Sequence, residues 1–307
     1  MNDINRRTFL SHSAALAAAT SLPGQVLAQE TMRMRTIPGT GEQLPVVGLG
    51  APEIFINMPP EGKELPKAAI QAMVDLGGTL MDTPAFFRPD VPVLYEILAE
   101  MGLKDDLFLT SKITVDGKEE GIAHLEEVVR GLNKRPMDLL MIHNMRQMDI
   151  HWSTLKDWKE AGRTRYIGVS RTRQKTYDGL EKFMKDEKPD FIMTGYSMFH
   201  PEAEERILPL AADMGIAVIG VETFKGTEDG SFFGVVAGKE LPEWTAEFDC
   251  ETWAHFAIKY VLSNPAITAL VTETTKVKHV VDNMRAGYGR LPDQAMRQRM
   301  KAHLLSL

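Results

Sequence analysis

The sequence predicts an α/β chain that closes into a (β/α)8 TIM barrel, with an N-terminal β-hairpin ahead of it and a long loop after its seventh strand. Three observations predict this. Short apolar runs of strand type alternate with segments whose apolar residues recur at helical spacing, the pattern of parallel β with helices between. No Gly-x-Gly-x-x-Gly stretch opens any of the helices, as a dinucleotide-binding open sheet would want; an open doubly wound sheet is the alternative architecture. Polar residues stand where apolar runs end, the boundary at which a parallel barrel places its chemistry.

Taken in order, residues 35–50 read as a hairpin turned at Gly39-Thr40-Gly41 and leading into a first barrel strand at 45–49. Residues 66–76 carry Ala69, Ile70, Met73 and Val74 at helical spacing, and 90–101 repeat the pattern until Gly102 stops it. Further helices are expected at 117–132, 153–159, 175–184 and 202–212. Further strands are expected at 108–110, 139–142, 166–170, 191–194 and 217–221. Residues 222–249 form a long connection with four glycines and with Phe224, Phe232, Phe233 and Phe248. A loop of that length reads either as a lid over the barrel mouth or as an insertion whose aromatics pack locally.

Residues 1–28 read as a targeting segment outside the fold. Asn5-Arg6-Arg7-Thr8-Phe9-Leu10 is a twin-arginine pattern, followed by the Ala-rich core 14–19 and a Val26-Leu27-Ala28 processing site. The apolar core is too short for a permanent membrane anchor. The expectation is a barrel domain at 29–307, delivered folded to the periplasm by the twin-arginine translocation machinery. That length suits one barrel of about 250 residues. The formal charge of −7 and the lack of a strongly basic patch argue against a nucleic-acid partner. Cys250 is the one cysteine, so no internal disulfide forms.

The chemistry concentrates at three strand ends. In Thr79-Leu80-Met81-Asp82-Thr83-Pro84-Ala85-Phe86-Phe87 an apolar run ends in a carboxylate; Ser111-Lys112 and His143-Asn144 end the next two strands. A carboxylate, an ammonium and an imidazole at the carboxyl ends of successive parallel strands converge if those strands are neighbours. His143, Asp149 and His151 match no metal-ligand spacing, so no metal is expected.

This arrangement resembles the aldo-keto reductases. The resemblance extends over most of residues 34–300 and is closest in Met137-Asp138-Leu139-Leu140-Met141-Ile142-His143-Asn144 and in Gly162-Arg163-Thr164-Arg165-Tyr166-Ile167-Gly168-Val169-Ser170. It implies a hairpin that plugs the barrel bottom, a small-molecule substrate and hydride transfer from NAD(P)H to a carbonyl or quinone-like acceptor. It also implies a catalytic set at Asp82, Lys112, His143 and the position of Phe87. In the family that last position is a Tyr, the proton donor, whose pKa a neighbouring Lys lowers; Phe87 has no proton to give.

The implied cofactor positions depart as well. A Ser-Asn pair after strand 5 is here Ser170-Arg171, a Gln on strand 6 is Met193, and Asn-Arg-Pro-Phe after strand 7 is Val221-Glu222-Thr223-Phe224, which lacks the cation. After strand 8 comes Thr272-Glu273-Thr274-Thr275-Lys276-Val277-Lys278-His279, with Glu273 where NADP-dependent members often carry Lys. Thr274, Lys276, His279 and the pair Asp282-Asn283 are left to hold an adenosine group, which a helix N-terminus favours. The alternative is a degenerate barrel that serves as a ligand-binding module. A working enzyme would carry its cofactor out while folded, since the periplasm keeps no nicotinamide pool.

Overall fold

The computed structural model describes residues 31–50, 62–83, 92–172, 177–227, 230–274 and 276–307. The twin-arginine segment and Phe87 lie outside the described residues. β1 (Met34–Thr36) and β2 (Gln43–Pro45) form an antiparallel hairpin. Eight parallel strands follow and close a barrel in the order β10-β3-β4-β5-β6-β7-β8-β9. They are β3 (Val47–Gly50), β4 (Leu80–Asp82), β5 (Phe108–Ile113), β6 (Met137–Ile142), β7 (Thr164–Arg171), β8 (Phe191–Gly195), β9 (Ala217–Val221) and β10 (Ala269–Glu273). The closed (β/α)8 barrel is thus the architecture, and the open sheet is excluded.

Strand side chains alternate between faces, and that alternation builds the barrel interior. Leu80, Phe108, Leu139, Met141, Tyr166, Phe191, Met193, Ile219 and Val271 form one buried cluster inside it. Ile37 and Leu44 of the hairpin join this cluster, so the hairpin closes one end of the barrel as expected. Val47, Leu49, Met81, Leu109, Leu140 and Val169, of opposite parity, pack outward against the helices. A Cβ on Gly168 would stand 2.3 Å from the Phe191 carbonyl oxygen, so β7 needs glycine there to lie against β8.

The outer layer consists of α1 (Glu64–Asp75), α2 (Pro92–Met101), α3 (Lys118–Leu132), α4 (Met148–Glu160), α5 (Tyr177–Glu187) and α6 (Ile207–Met214). It continues with the short α7 (Phe232–Val235), then α8 (Trp253–Leu262), α9 (Val277–Arg285) and α10 (Gln294–Leu304). α4 starts well before residue 153, directly after Gln147 in the left-handed region, and buries His151, Trp152, Leu155 and Trp158. The single helix expected at 202–212 is split into a 3-10 turn, Glu202–Glu204, and α6. Pro209 is the cause: it has no N–H for a bond back to residue 205, so it fits only the first turn of a helix.

In the connection after β9 two of the four phenylalanines pack into the fold, as the insertion reading expects. Phe232 and Phe248 are buried in the main core, whereas Phe224 reaches the barrel mouth and Phe233 is 46 % exposed. Ser231 caps α7 through the Gly234 N–H, and Gly226 lets the two arms of the loop cross, since a Cβ there would lie 2.2 Å from the Gly230 carbonyl. Among the described residues no helix is long and apolar enough to cross a membrane.

Candidate active site

A cavity of about 590 Å³ opens at the carboxyl ends of the strands, the end opposite the hairpin. Asp82 on β4 and Lys112 on β5 have the same strand parity as the interior residues Leu80 and Phe108, so both point inward one layer above the apolar cluster. Lys112 Nζ donates to both carboxylate oxygens of Asp82, at 2.5 and 2.6 Å. The Thr110 hydroxyl donates to Asp82 Oδ1 as well. Both charged side chains are largely buried, at 8 % and 13 % exposure, so the pair is preorganised and not a fluctuating surface contact.

His143 follows β6 directly and lines the same cavity. Burial holds its imidazole below the usual pKa, the Lys112 ammonium lowers it further, and Asp82 offsets part of this. The ring is therefore neutral at neutral pH and able to hydrogen-bond an uncharged ligand. Asn144, in the left-handed conformation at φ 50°, sets the imidazole's position, its amide nitrogen 3.2 Å from His143 Nε2. The Asn144 N–H donates to Ser170 Oγ at 3.0 Å, and Arg171 Nη1 donates to the Asn144 carbonyl at 2.8 Å.

Of the residues singled out in the sequence, Asp82, Lys112, His143, Ser170, Met193 and Phe224 are brought together around this one cavity. Arg171 instead turns to the Asn144 backbone. Thr274, Lys276 and His279 cluster where α9 begins: the Lys276 N–H donates to Thr274 Oγ1 at 3.2 Å, and His279 Nδ1 lies 3.5 Å from the same oxygen. Asp282 accepts from Thr252 Oγ1 at 3.1 Å and lies 3.1 Å from His255 Nε2; burial pushes its pKa up, but these contacts outweigh that and hold it below the carboxylate range. Asn283 donates to Thr272 Oγ1 at 3.1 Å. Both members of this pair are thus committed within the protein.

Sequence reasoning missed Thr110, whose hydroxyl donates to Asp82 Oδ1 and which strand parity, between Phe108 and Lys112, could have found. Glu222 and Thr223, at the expected cofactor position after the seventh strand, line the cavity together with Lys225, which the sequence did not single out, and Thr223 Oγ1 is buried without a partner. Among the described residues no group of three or more His, Cys, Asp or Glu is placed to hold a metal ion.

The comparisons agree with this architecture. An aldo-keto reductase from Bacillus halodurans in its holo form shares 18% identity and a TM-score of 0.68, over 89% of this chain and 96% of that one. An aldo/keto reductase from Klebsiella pneumoniae in complex with NADP and acetate shares 16% identity and a TM-score of 0.67, over 88% and 95%. One from Brucella melitensis shares 18% and 0.66, over 89% and 99%. No curated protein matches the chain. At these identities the solved structures speak for the fold; the family model named Aldo/keto reductase family matches residues 47–303, most of the sequence. The chain belongs to the aldo/keto reductase family.

Proposed function

We propose that the chain is an exported oxidoreductase that passes a hydride from a nicotinamide dinucleotide to a carbonyl or quinone-like acceptor at the barrel mouth. The observation that carries this reading is the buried Lys112–Asp82 pair, which shares one cavity with a neutral His143. A developing oxyanion needs preorganised positive charge and hydrogen-bond donors. Lys112 supplies the charge, Asp82 holds the ammonium in place, and His143 is a hydrogen-bonding group for the acceptor oxygen.

The residues present fit the dinucleotide with a reduced set of contacts. Ser170 Oγ accepts the Asn144 N–H and still has its own proton to donate, and the unpartnered Thr223 hydroxyl lies in the same wall. The Ser170 hydroxyl suits a carboxamide. Met193 offers no side-chain donor and only a weak acceptor. Lys276 and His279 are the groups available to phosphates, because Lys225 is paired with Glu222. When bound, the dinucleotide supplies the hydride, as the NADP held by the Klebsiella relative suggests. The fewer donors imply weak binding.

Phe87 narrows the acceptor. Reduction of an aldehyde leaves a basic alkoxide that needs an acid in place, whereas a reduced quinone is a stabilised phenolate that water can protonate later. Quinone-like acceptors are therefore preferred. The segment Asn5-Arg6-Arg7 to Ala28 supports export through the twin-arginine machinery to the periplasm.

A second reading, a ligand-binding module, draws on Glu222 and Glu273 at the cavity and on the internal commitment of Arg171, Asp282 and Asn283. Calorimetric titration with NADPH separates the two. A dissociation constant of about 1 µM or weaker agrees with the oxidoreductase. Absence of binding up to about 1 mM leaves only the module.

A further inference from the structure

Glu222 is held in a conformation that a glutamate rarely adopts. Its φ is 59°, in the left-handed region, where a side chain with a Cβ is disfavoured. Strain of this kind persists where the surroundings over-determine it, and it concentrates at functional sites. The surroundings here are well defined. The Lys225 N–H closes the turn on the Glu222 carbonyl at 2.9 Å, the Ser197 hydroxyl donates to the Lys225 carbonyl at 3.1 Å, and His200 Nε2 lies 2.8 Å from the Gly226 carbonyl. On the neighbouring strand Gly195 leaves the space the carboxylate fills: a Cβ there would come within 2.8 Å of Glu222 Oε2. The result is a carboxylate fixed in the cavity wall, paired with Lys225 Nζ at 3.1 Å.

The charges lining the cavity can be set against one another. Lys112 is committed to Asp82 and Lys225 to Glu222, and Glu273 adds a further carboxylate. An anion entering the mouth meets Lys225 already satisfied and Glu222 repelling it. Thr223, the next residue in the same cavity lining, has a buried hydroxyl without a partner. We propose that Glu222 sets the charge selectivity of the mouth: it occupies Lys225 and so keeps phosphate-bearing ligands weakly held, and its removal exposes an anion site made by Lys225 and Thr223. This inference rests on the proposed function only in taking a nucleotide as one such ligand.

The test titrates the full chain with inorganic diphosphate and, separately, with NADPH. Four proteins are compared: wild type, Glu222→Gln, Glu222→Gly and Glu222→Gln/Lys225→Met. Glycine is at ease at φ 59°, so Glu222→Gly removes the carboxylate without a folding penalty. Both single variants should bind diphosphate about tenfold more tightly, the effect of deleting one like charge at close range in a half-exposed site. The gain should shrink at high salt and vanish in the double variant. A change below about twofold, or a gain that survives loss of Lys225, overturns the inference. Diphosphate tightening without any NADPH binding keeps the inference and refutes the nicotinamide reading. NADPH bound equally by wild type and Glu222→Gln refutes the inference and leaves that reading intact.

Discussion

Lys112→Met removes the ammonium that both oxygens of Asp82 contact at 2.5 and 2.6 Å and leaves the carboxylate with the Thr110 hydroxyl as its remaining side-chain donor. The pair is largely buried, so water replaces the lost partner poorly. Stranding one charge of a buried pair costs about 3–5 kcal/mol, a large part of the roughly 5–15 kcal/mol that holds a domain folded. Urea unfolding should show a lowered midpoint with an unchanged slope, the sign of lost stability without a change in the surface exposed. Asp82→Asn/Lys112→Met removes the stranded charge and should regain about 2 kcal/mol relative to the single variant, because the two sites are in contact and their effects do not add. If Lys112→Met unfolds within about 0.5 kcal/mol of wild type, Asp82 is solvated and the preorganised pair on which the proposed chemistry rests does not exist.

The buried Lys259 makes stability depend on pH. Its ammonium donates to the carbonyls of Tyr288 at 2.6 Å and Arg290 at 2.9 Å, and burial pushes its pKa down to about 8, with Asp249 pulling the other way. Between that value and the ordinary 10.5 the unfolded chain binds a proton that the folded chain releases, so stability rises with pH. The rise from pH 8 to 9 should be about 1 kcal/mol. It should then flatten, since burial raises the Cys250 thiol to about 12 and the folded chain keeps that proton above pH 9.0. Lys259→Met should abolish the rise in denaturant midpoints; an unchanged pH profile contradicts it. Phe87→Tyr should raise aldehyde reduction by about 10²- to 10⁴-fold, the usual contribution of a positioned general acid. If nucleotide binds both proteins equally and aldehyde turnover does not rise, Phe87 is not at the proton donor's place. Arg6→Lys/Arg7→Lys should leave the protein in the cytoplasm on cell fractionation, and periplasmic recovery of the variant would rule out the twin-arginine reading.

Much of the site was legible because strands have a period of two. Asp82, Lys112 and His143 end successive apolar runs, and each shares the parity of the interior residues on its strand, whereas Ser170 and Met193 were reached only through the family resemblance. What the sequence did not disclose depends on backbone conformations without a periodic signal. Left-handed Gln147 starts α4 early, left-handed Asn144 ties His143 to Ser170 and Arg171, and left-handed Glu222 places a carboxylate in the cavity. Asp282 and Asn283 show a second limit. Their sequence positions suggest adenosine contacts, yet Thr252, thirty residues before Asp282, and Thr272 on the preceding strand take up their side chains. Spacing along a helix does not reveal such long-range commitments.

In the proposed function the Lys112–Asp82–His143 cavity directs a nicotinamide hydride onto a quinone-like molecule. This is tested most directly by following the absorbance of NADPH with purified protein and either 1,4-naphthoquinone or benzaldehyde, in wild type and in Lys112→Met. Wild type should turn over the quinone, and the aldehyde far more slowly, and the variant should lose both activities. Aldehyde reduced as fast as quinone, or quinone turnover untouched by Lys112→Met, would contradict it.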